Sequence, residues 1–503
     1  MYASIWALVP PIVAIALALI TKEVYSSLFV GILVGGLFYS NFSFVGTLEH
    51  IFTDGLIAQL SDSYNVGILV FLVFLGIMVC LMNKAGGSAA FGEWASGHIK
   101  TRVGAQLATV ALGCLIFIDD YFNCLTVGSV MRPVTDRHQV SRARLAYLID
   151  STAAPVCIIA PISSWAAAVS AFAPEGTNGL VLFIRAIPYN YYAIFTIVMM
   201  VTLTILKIEY GPMAKYEANA LKGDIFTVPM PEGAAEQKAE GAKGKVVDLV
   251  LPIASLIVCC VIGMIYSGRF FEGASFIDSF ANSNASVGLV LGSFVALVIT
   301  LAAYILRGVL GFKDCMSCLS EGFKSMVPAI MILALAWTLK SMTDSLGAAE
   351  YVAGIVKGSA ESLQNFLPAI IFLIAVGLSF ATGTSWGTFG ILIPICLDAF
   401  SLEGGNQLAI ICVSACMAGA VCGDHCSPIS DTTIMSSAGA MCDHISHVTT
   451  QMPYALTCAS ISFAAYLVAG FAKNAAASLL IGLIILFLCM FILHFAQKNS
   501  GRE

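Results

Sequence analysis

Long runs of apolar residues, separated by short polar segments, follow one another along the whole chain. Residues 65–83, 249–266 and 476–497, for example, contain no Asp, Glu, Lys or Arg, and each is close to the roughly 20 residues that a helix needs to cross a bilayer. The pattern predicts an all-α polytopic membrane protein with about 11 transmembrane helices. Composition supports this prediction, because 59% of the 503 residues are hydrophobic and only 11% are charged, against about 25% charged residues in soluble proteins.

Three of the apolar runs are interrupted by polar residues. Residues 103–131 contain two adjacent aspartates, residues 362–397 contain ATGTSWGT, and residues 407–437 contain GDHCSPISDTT. We expect the first two runs to form two re-entrant hairpins, which dip into the membrane and return to the same face. A full crossing by residues 103–131 would place the Arg-rich loop 132–144 outside, against the rule that basic loops remain in the cytoplasm.

The distribution of basic residues predicts the orientation. With two hairpins, most of the 24 Lys and Arg residues lie on one side of the membrane, which the same rule assigns to the cytoplasm. The expected location is the plasma (inner) membrane of a prokaryote, with the N-terminus outside and the C-terminus cytoplasmic.

A hydrophilic segment, residues 207–246, separates two halves of similar sequence. Residues 66–87 align without gaps with residues 327–348, which places Gly86 opposite Gly347. An odd number of crossings in each half makes the second half inverted relative to the first, as is typical of secondary transporters. The predicted organisation is a first membrane repeat (1–206), a solvated cytoplasmic linker (207–246), a second inverted membrane repeat (247–473), and an extra C-terminal helix and tail (474–503).

Carboxylates inside the apolar runs are the first candidates for transport chemistry, because a charge at the membrane centre costs at least about 2.5–3.5 kcal/mol. Two adjacent carboxylates in a dry site cannot easily both ionise, so the Asp119–Asp120 pair is expected to hold a proton or the ammonium group of a substrate. An aspartate at such a place can also simply cap a half-helix. The predicted proton- or substrate-binding residues are Asp119, Asp120, Asp424, His425, Asp431 and Trp386, and Asp150 is a further intramembrane carboxylate.

Hydroxyl and amide oxygens near the same interruptions suit Na⁺, because hard cations prefer oxygen ligands. The predicted sodium ligands are Asn123, Thr126, Ser163 and Ser164 in the first half, and Thr384, Ser385, Ser430 and Thr432 in the second. Cys315 and Cys318 form a lone C-x-x-C pair, which by itself does not predict a metal site.

The sequence lacks the motifs that are typical of other classes of function. The chain has no phosphate-binding loop and no Ser/His/Asp nucleophile pattern, so we expect no enzyme activity, no cofactor, and no metal other than Na⁺ as the coupling ion. The net charge of −6 gives no basic excess that would attract nucleic acid.

Several segments resemble one family. Residues 423–456, GDHCSPISDTTIMSSAGAMCDHISHVTTQMPYAL, closely resemble the signature of the NhaC-type Na⁺/H⁺ antiporter family, within the ion transporter superfamily. Residues 118–136, 151–167 and 381–394 also resemble blocks of that family. The resemblance implies an inverted-repeat fold with re-entrant hairpins and coupling to Na⁺, and it leaves the substrate open.

Two functions follow as alternatives. The first is a Na⁺/H⁺ antiporter that works by alternating access, and the second is a Na⁺-coupled transporter of an organic solute such as an amino acid. The aromatic residues Tyr121, Phe122 and Trp386 at the two interruptions would suit an organic ligand better than a bare ion. The expected partners are Na⁺ with H⁺ or a small organic solute, and membrane lipids, and a homodimer is compatible with the sequence.

Overall fold

The computed structural model is helical in every described segment, and no strand occurs among the described residues. These are residues 2–21, 23–117, 120–161, 179–228, 244–348, 364–399 and 407–499, together with 163, 165, 166, 169, 350, 351 and 354. Six described helices are long and apolar enough to cross a membrane, or up to eight if each of two bent pairs counts as one span. The chain is therefore a multi-pass membrane protein, while the number of about 11 spans stays a prediction.

The first half contains mostly apolar helices with polar N-caps. At the start of α5, for instance, Asp62 accepts hydrogen bonds from the backbone of Tyr64 and Asn65, which satisfies N–H groups that a helix start leaves free. The helices are α1 (Val9–Thr21), α2 (Val24–Tyr39), α3 (Phe44–Glu49), α4 (Ala58–Ser61), α5 (Ser63–Lys84), α6 (Gly87–His98), α7 (Arg102–Leu115), α8 (Asp120–Arg137), α9 (Arg142–Asp150), α10 (Ala154–Cys157), α11 (Gly179–Ala186) and α12 (Tyr191–Leu206), with a π-helix at His50–Ile57.

The second half follows the segment that contains α13 (Pro212–Ala220). Its helices are α14 (Val247–Ser267), α15 (Phe276–Ala281), α16 (Ala285–Leu306), α17 (Phe312–Ser345), α18 (Leu367–Thr382), α19 (Ser385–Ala399), α20 (Gln407–Cys426), α21 (Asp431–Ala440), α22 (His444–Ala472) and α23 (Ala475–Asn499). Helix α20 is buried along almost its whole length, because α18, α19 and α22 pack around it. It forms the centre of this half.

Four breaks interrupt the helices near the places where the sequence has polar residues. They separate α7 from α8, α9 from α10, α18 from α19, and α20 from α21. Gly383 ends α18 with a φ of +67°, a left-handed conformation that glycine adopts without a steric penalty. The breaks bring backbone polar groups into the bundle, whereas the return of α7–α8 and α18–α19 to the same face remains a prediction.

The proposed repeat has one matching detail in the backbone. Gly86, after α5, and Gly347, after α17, both have a φ of +74°, so the two aligned glycines make the same left-handed turn. Helices α5 and α17 also pack against each other. The division into two inverted repeats is consistent with these observations and stays a prediction.

The beginning of segment 207–246 is packed, in contrast to the solvated linker that its charges suggest. Ile208, Met213 and Glu217 are buried, and α13 lies against α9 and α22. The Glu217 carboxylate pairs with Arg102 and accepts a 2.9 Å hydrogen bond from the backbone of Ser141. The charges of this stretch are therefore used in specific contacts, while residues 229–243 lie outside the described part.

Glu209 is expected to make stability depend on pH. Its carboxylate lies 3.5 Å from Nη1 of buried Arg144 and accepts a 3.1 Å hydrogen bond from the Tyr454 hydroxyl. Burial nevertheless raises the pKa of Glu209 from 4.5 to about 7. Because the folded state binds this proton more tightly than the unfolded state, the free energy of unfolding should fall as pH rises through that interval.

Thermal unfolding in detergent at a series of pH values tests this expectation. Wild type should lose stability with rising pH, Glu209→Gln should lack that loss, and Glu272→Gln, at a side chain that is 74% exposed, should behave as wild type. A rise of wild-type stability with pH that Glu209→Gln removes would mean that pairing with Arg144 outweighs burial.

Helices α8 and α21 approach each other closely through two glycines. A Cβ atom on Gly128 would lie 2.3 Å from the carbonyl oxygen of Gly439, and a Cβ atom on Gly439 would lie 2.3 Å from that of Cys124. Side chains at either position would push the helices apart. The contact therefore sets the distance between the helices that carry Tyr121 and Asp431.

We expect Gly128→Ala to lower the free energy of unfolding by about 1–3 kcal/mol, because the added methyl group meets backbone that cannot rotate away. The matched control is Gly377→Ala in α18, where a Cβ atom meets nothing within 4 Å and where alanine should stabilise the helix by up to about 1 kcal/mol. Thermal unfolding of the two variants measures the difference. Equal effects would contradict the close contact.

Candidate functional site

Polar side chains of the bundle gather around Asp150, the last residue of α9. Its buried carboxylate accepts hydrogen bonds from Nε2 of Gln451 at 2.6 Å, from Oγ1 of Thr433 at 3.3 Å and from Oγ of Ser436 at 3.2 Å. Nε2 of His447 lies 3.3 Å from the same carboxylate. Side chains of α21 and α22 thus converge on the end of α9 and hold its carboxylate in place.

Asp424 lies near the end of α20, where the two breaks of the second half meet. Its Oδ2 atom accepts hydrogen bonds from Oγ of Ser385 at 3.0 Å and from Oγ1 of Thr432 at 3.3 Å. Its Oδ1 atom is buried and has no hydrogen-bond partner among the residues that the structure describes. One oxygen of this carboxylate is therefore available for a proton or a cation.

Asp431, the first residue of α21, completes the group of carboxylates. It accepts hydrogen bonds from the Tyr121 hydroxyl at 2.5 Å and from the backbone N–H of Thr432 at 2.8 Å. Thr432 consequently contacts both Asp424 and Asp431, and the next residue, Thr433, contacts Asp150. Two consecutive threonines link three carboxylates.

This group carries more negative charge than its described neighbours balance. The described ion-pair partners are imidazoles, with Nε2 of His447 at 3.3 Å and Nε2 of His425 at 3.8 Å from the Asp150 carboxylate. No Lys or Arg of the described segments forms an ion pair with Asp424 or Asp431. Because an unpaired ionised carboxylate in a buried site costs several kcal/mol, these two residues require protons or a bound cation.

Most predicted residues of the second half come together at this place. Ser430 caps α21 by accepting from the backbone of Thr433 at 3.2 Å, and its Oγ atom lies 3.1 Å from Oγ1 of Thr432. Thr384 accepts from the backbone of Gly387 at 3.4 Å at the start of α19. The hydroxyls of Ser385 and Thr432 thus contact Asp424, and that of Ser430 lies beside Thr432, at the ends of two broken helices.

His425 has different partners from those that its position next to Asp424 suggests. Its Nδ1 atom lies 3.3 Å from the Tyr192 hydroxyl, and its Nε2 atom lies 3.1 Å from the backbone oxygen of Asp150. Its backbone oxygen accepts a 2.9 Å hydrogen bond from Gln451. The imidazole therefore belongs to the surroundings of Asp150.

In the first half, the Asn123 side chain forms hydrogen bonds with backbone groups at both helix breaks. Its Nδ2 atom donates to the backbone oxygens of Gly113 at 2.7 Å, Ile116 at 2.8 Å and Thr152 at 3.2 Å. Its Oδ1 atom and Oγ1 of Thr126, one turn later on α8, are buried with no hydrogen-bond partner in the described segments. These two oxygens remain candidates for cation ligands.

The other predicted residues of the first half have separate places. Asp120 is buried at the start of α8, whereas Asp119 and Ser164 lie outside the described residues. The Ser163 hydroxyl donates to the backbone oxygens of Cys157 and Ala160 and accepts from the backbone of Ala166. It therefore acts as a local cap.

Trp386 belongs to an aromatic group beside the α18–α19 break. The rings of Trp386 and Trp165 have centroids 5.7 Å apart, and those of Trp165 and Phe389 are 5.4 Å apart. The indole N–H groups of both tryptophans are buried without a hydrogen-bond partner among described residues. Two unused donors beside a polar break are suited to an anionic or carbonyl-bearing ligand.

The sequence indicates Asp150 only as an intramembrane carboxylate, and it does not indicate His447 or Gln451 as binding residues. His447 and Gln451 are four residues apart on α22, so that they share one helix face, and this spacing is visible in the sequence. Their convergence on the end of α9 depends on how the two helices pack, which the local sequence does not indicate.

Comparison with known proteins agrees with the family resemblance found in the sequence. The model of the Na⁺/H⁺ antiporter family matches residues 156–471, a range that includes Asp424 and Asp431. An uncharacterized protein of Haemophilus influenzae is 39% identical over 93% of this chain and 91% of its own length. A malate-2H⁺/Na⁺-lactate antiporter of Bacillus subtilis is 27% identical over 36% of this chain and 42% of its own length. An uncharacterized Na⁺/H⁺ antiporter of H. influenzae is 31% identical over 32% and 36%.

Proposed function

Because the chain belongs to the Na⁺/H⁺ antiporter family, and is thus a Na⁺-coupled transporter, we propose that it exchanges Na⁺ for protons by alternating access. The observation that carries the proposal is the buried Asp424 carboxylate, which has one oxygen without a partner among described residues and hydroxyl groups around the other. Such a carboxylate can bind either a proton or Na⁺.

Competition for one carboxylate explains the coupling. Asp424 with a proton is neutral, and Asp424 with Na⁺ is neutral, whereas the empty ionised form leaves a charge in a buried site within the membrane. The free energy needed to change between inward-facing and outward-facing states is therefore low with either ion bound and high without one. This difference makes Na⁺ and H⁺ move in exchange.

The oxygen ligands proposed for Na⁺ come from the two broken helices of the second half. Besides Asp424 they are the hydroxyls of Ser385, Ser430 and Thr432, and Thr384 lies on the same turn as Ser385. Na⁺ is a hard cation that prefers such ligands. Asp431 shares Thr432 with Asp424 and provides a second carboxylate for protons.

Transport in proteoliposomes tests the proposal. With an enclosed pH dye and radioactive sodium, an imposed Na⁺ gradient should drive protons in the opposite direction with no organic solute present. Liposomes without protein serve as the control for passive leakage of Na⁺ and protons. Na⁺ uptake that appears only after an organic solute is added would reject simple Na⁺/H⁺ exchange.

That outcome would favour the second candidate, a Na⁺-coupled transporter of an organic solute. Its support is twofold. The indole N–H groups of Trp165 and Trp386, which have no hydrogen-bond partner among the described residues, could bind a carboxylate, and one relative is named for malate and lactate. A panel of amino acids, lactate and malate in the same liposomes tests it. Trp386→Phe, which keeps an aromatic ring but removes the N–H donor, should weaken the solute dependence in that case.

The charge distribution supports an orientation with the Arg-rich loop 132–144 and segment 207–246 in the cytoplasm. Labelling of cysteines introduced into the two regions, from one side of the membrane at a time, tests it. Labelling of the two regions from opposite sides would contradict the predicted re-entrant hairpin at residues 103–131.

A further inference from the structure

Helices α5 and α17, one from each half, cross at two glycines. A Cβ atom on Gly76 would lie 2.5 Å from the backbone oxygen of Gly322, and one on Gly322 would lie 2.4 Å from Cα of Ile77. Cys80 lies one turn after Gly76, and Cys318 lies one turn before Gly322. The close crossing therefore brings these two cysteines to the same place on antiparallel helices.

A third ligand, a carboxylate, is present at this place. Sγ of Cys80 lies 3.4 Å from a carboxylate oxygen of Glu321, and ligand atoms of Cys80, Cys318 and Glu321 all lie within 4.8 Å of one another. Two ligand atoms of a tetrahedral zinc ion are about 3.8 Å apart, given Zn–S bonds of about 2.3 Å. We propose that Cys80, Cys318 and Glu321 form a binding site for a thiophilic divalent cation such as Zn²⁺.

The surrounding charge fits such an ion. Two thiolates, one carboxylate and a dication leave a single negative charge, and the Lys84 ammonium lies 3.5 Å from the Glu321 carboxylate. Lys84 also donates a 2.7 Å hydrogen bond to Ser317, so it retains a partner when the carboxylate turns to the metal. Binding would release the two thiol protons to solvent, and water would complete the coordination.

The site is separate from the group around Asp424, and a bound ion would link α5 of the first half to α17 of the second half.

Zinc binding to purified protein can be measured without transport, so the outcome is independent of the proposed exchange reaction. The protein in detergent, reduced with a phosphine, is titrated with Zn²⁺ against a chromogenic chelator. Co²⁺ serves as a spectroscopic probe, because thiolate ligands give it intense charge-transfer absorption.

We expect tight binding of one equivalent of Zn²⁺. Cys80→Ser and Cys318→Ser should each weaken it by more than the roughly 10–100-fold that the loss of an outer-shell partner costs, and Glu321→Gln should weaken it less than either. Cys489→Ser, at a half-buried thiol on α23, is the control and should bind as wild type. Thermal unfolding without metal establishes that each variant is folded.

Three results would overturn the proposal. The first is unchanged affinity in the Cys80→Ser, Cys318→Ser double variant, and the second is a Co²⁺ spectrum without thiolate charge transfer. The third is a Cys80–Cys318 disulfide on mild oxidation together with no zinc binding by the reduced protein, which would make the pair a redox pair.

Discussion

Replacing Asp424 with asparagine is expected to reduce coupled Na⁺/H⁺ exchange by at least about 100-fold. The asparagine oxygen can still accept the hydrogen bonds from Ser385 and Thr432, but the side chain has no charge for Na⁺ and no acid to titrate. Loss of one partner of a buried charge pair costs about 3–5 kcal/mol, and each 1.4 kcal/mol is about tenfold. Proteoliposomes with a pH dye and radioactive sodium measure both ions.

The matched control is Asp443→Asn, the same chemical change outside the group of carboxylates. Asp443 caps α22 by accepting a 2.8 Å hydrogen bond from the backbone of Ser446, and asparagine is an equally good cap, so exchange should be unchanged. Retained exchange in Asp424→Asn, with loss in Asp120→Asn, would instead assign the proton to the first break.

The helices and their breaks could be predicted because their causes are local. A run of about 20 apolar residues has to form a helix in lipid, since no other partner exists for its backbone. Gly383 and the polar residues around it mark the end of α18 in the same local way. The packing of residues 208–220 could not be predicted, because it depends on Arg102 and Ser141, which are distant in sequence.

The same distinction applies to the site. Asp424, Thr432 and Asp431 lie within eight positions of one another, so one break in the chain brings them together, and their proximity can be predicted from the sequence. Asp150 and His447 are 297 residues apart, and only the packing of α9 against α22 makes them neighbours. His425 is adjacent to Asp424 along α20, but neighbouring side chains of a helix point in different directions, so the imidazole contacts Tyr192 and the backbone of Asp150 instead.

The largest loss of stability is expected for Asp150→Ala. Removal of the carboxylate leaves the amide of Gln451, the imidazole of His447 and the hydroxyls of Thr433 and Ser436 without their acceptor. Breaking such a buried charged network costs about 3–5 kcal/mol. Thermal unfolding in detergent measures the loss, and Asp344→Ala, which removes only a half-exposed ion pair with Lys340, should cost about 1 kcal/mol or less.

Asp150→Asn distinguishes a positioning residue from an ion carrier. Asparagine can accept from Gln451 and retain most of the network, so the variant should fold with a loss of about 1–3 kcal/mol. If Asp150 only positions α21 and α22, this variant should weaken the apparent Na⁺ affinity and leave the pH profile of exchange in place. Asp424→Asn should show the opposite combination, with stability retained and exchange lost. A flattened pH profile in Asp150→Asn would show that Asp150 itself carries the proton. The transport site would then be the fully hydrogen-bonded Asp150 carboxylate rather than Asp424, whose Oδ1 atom has no partner among the described residues.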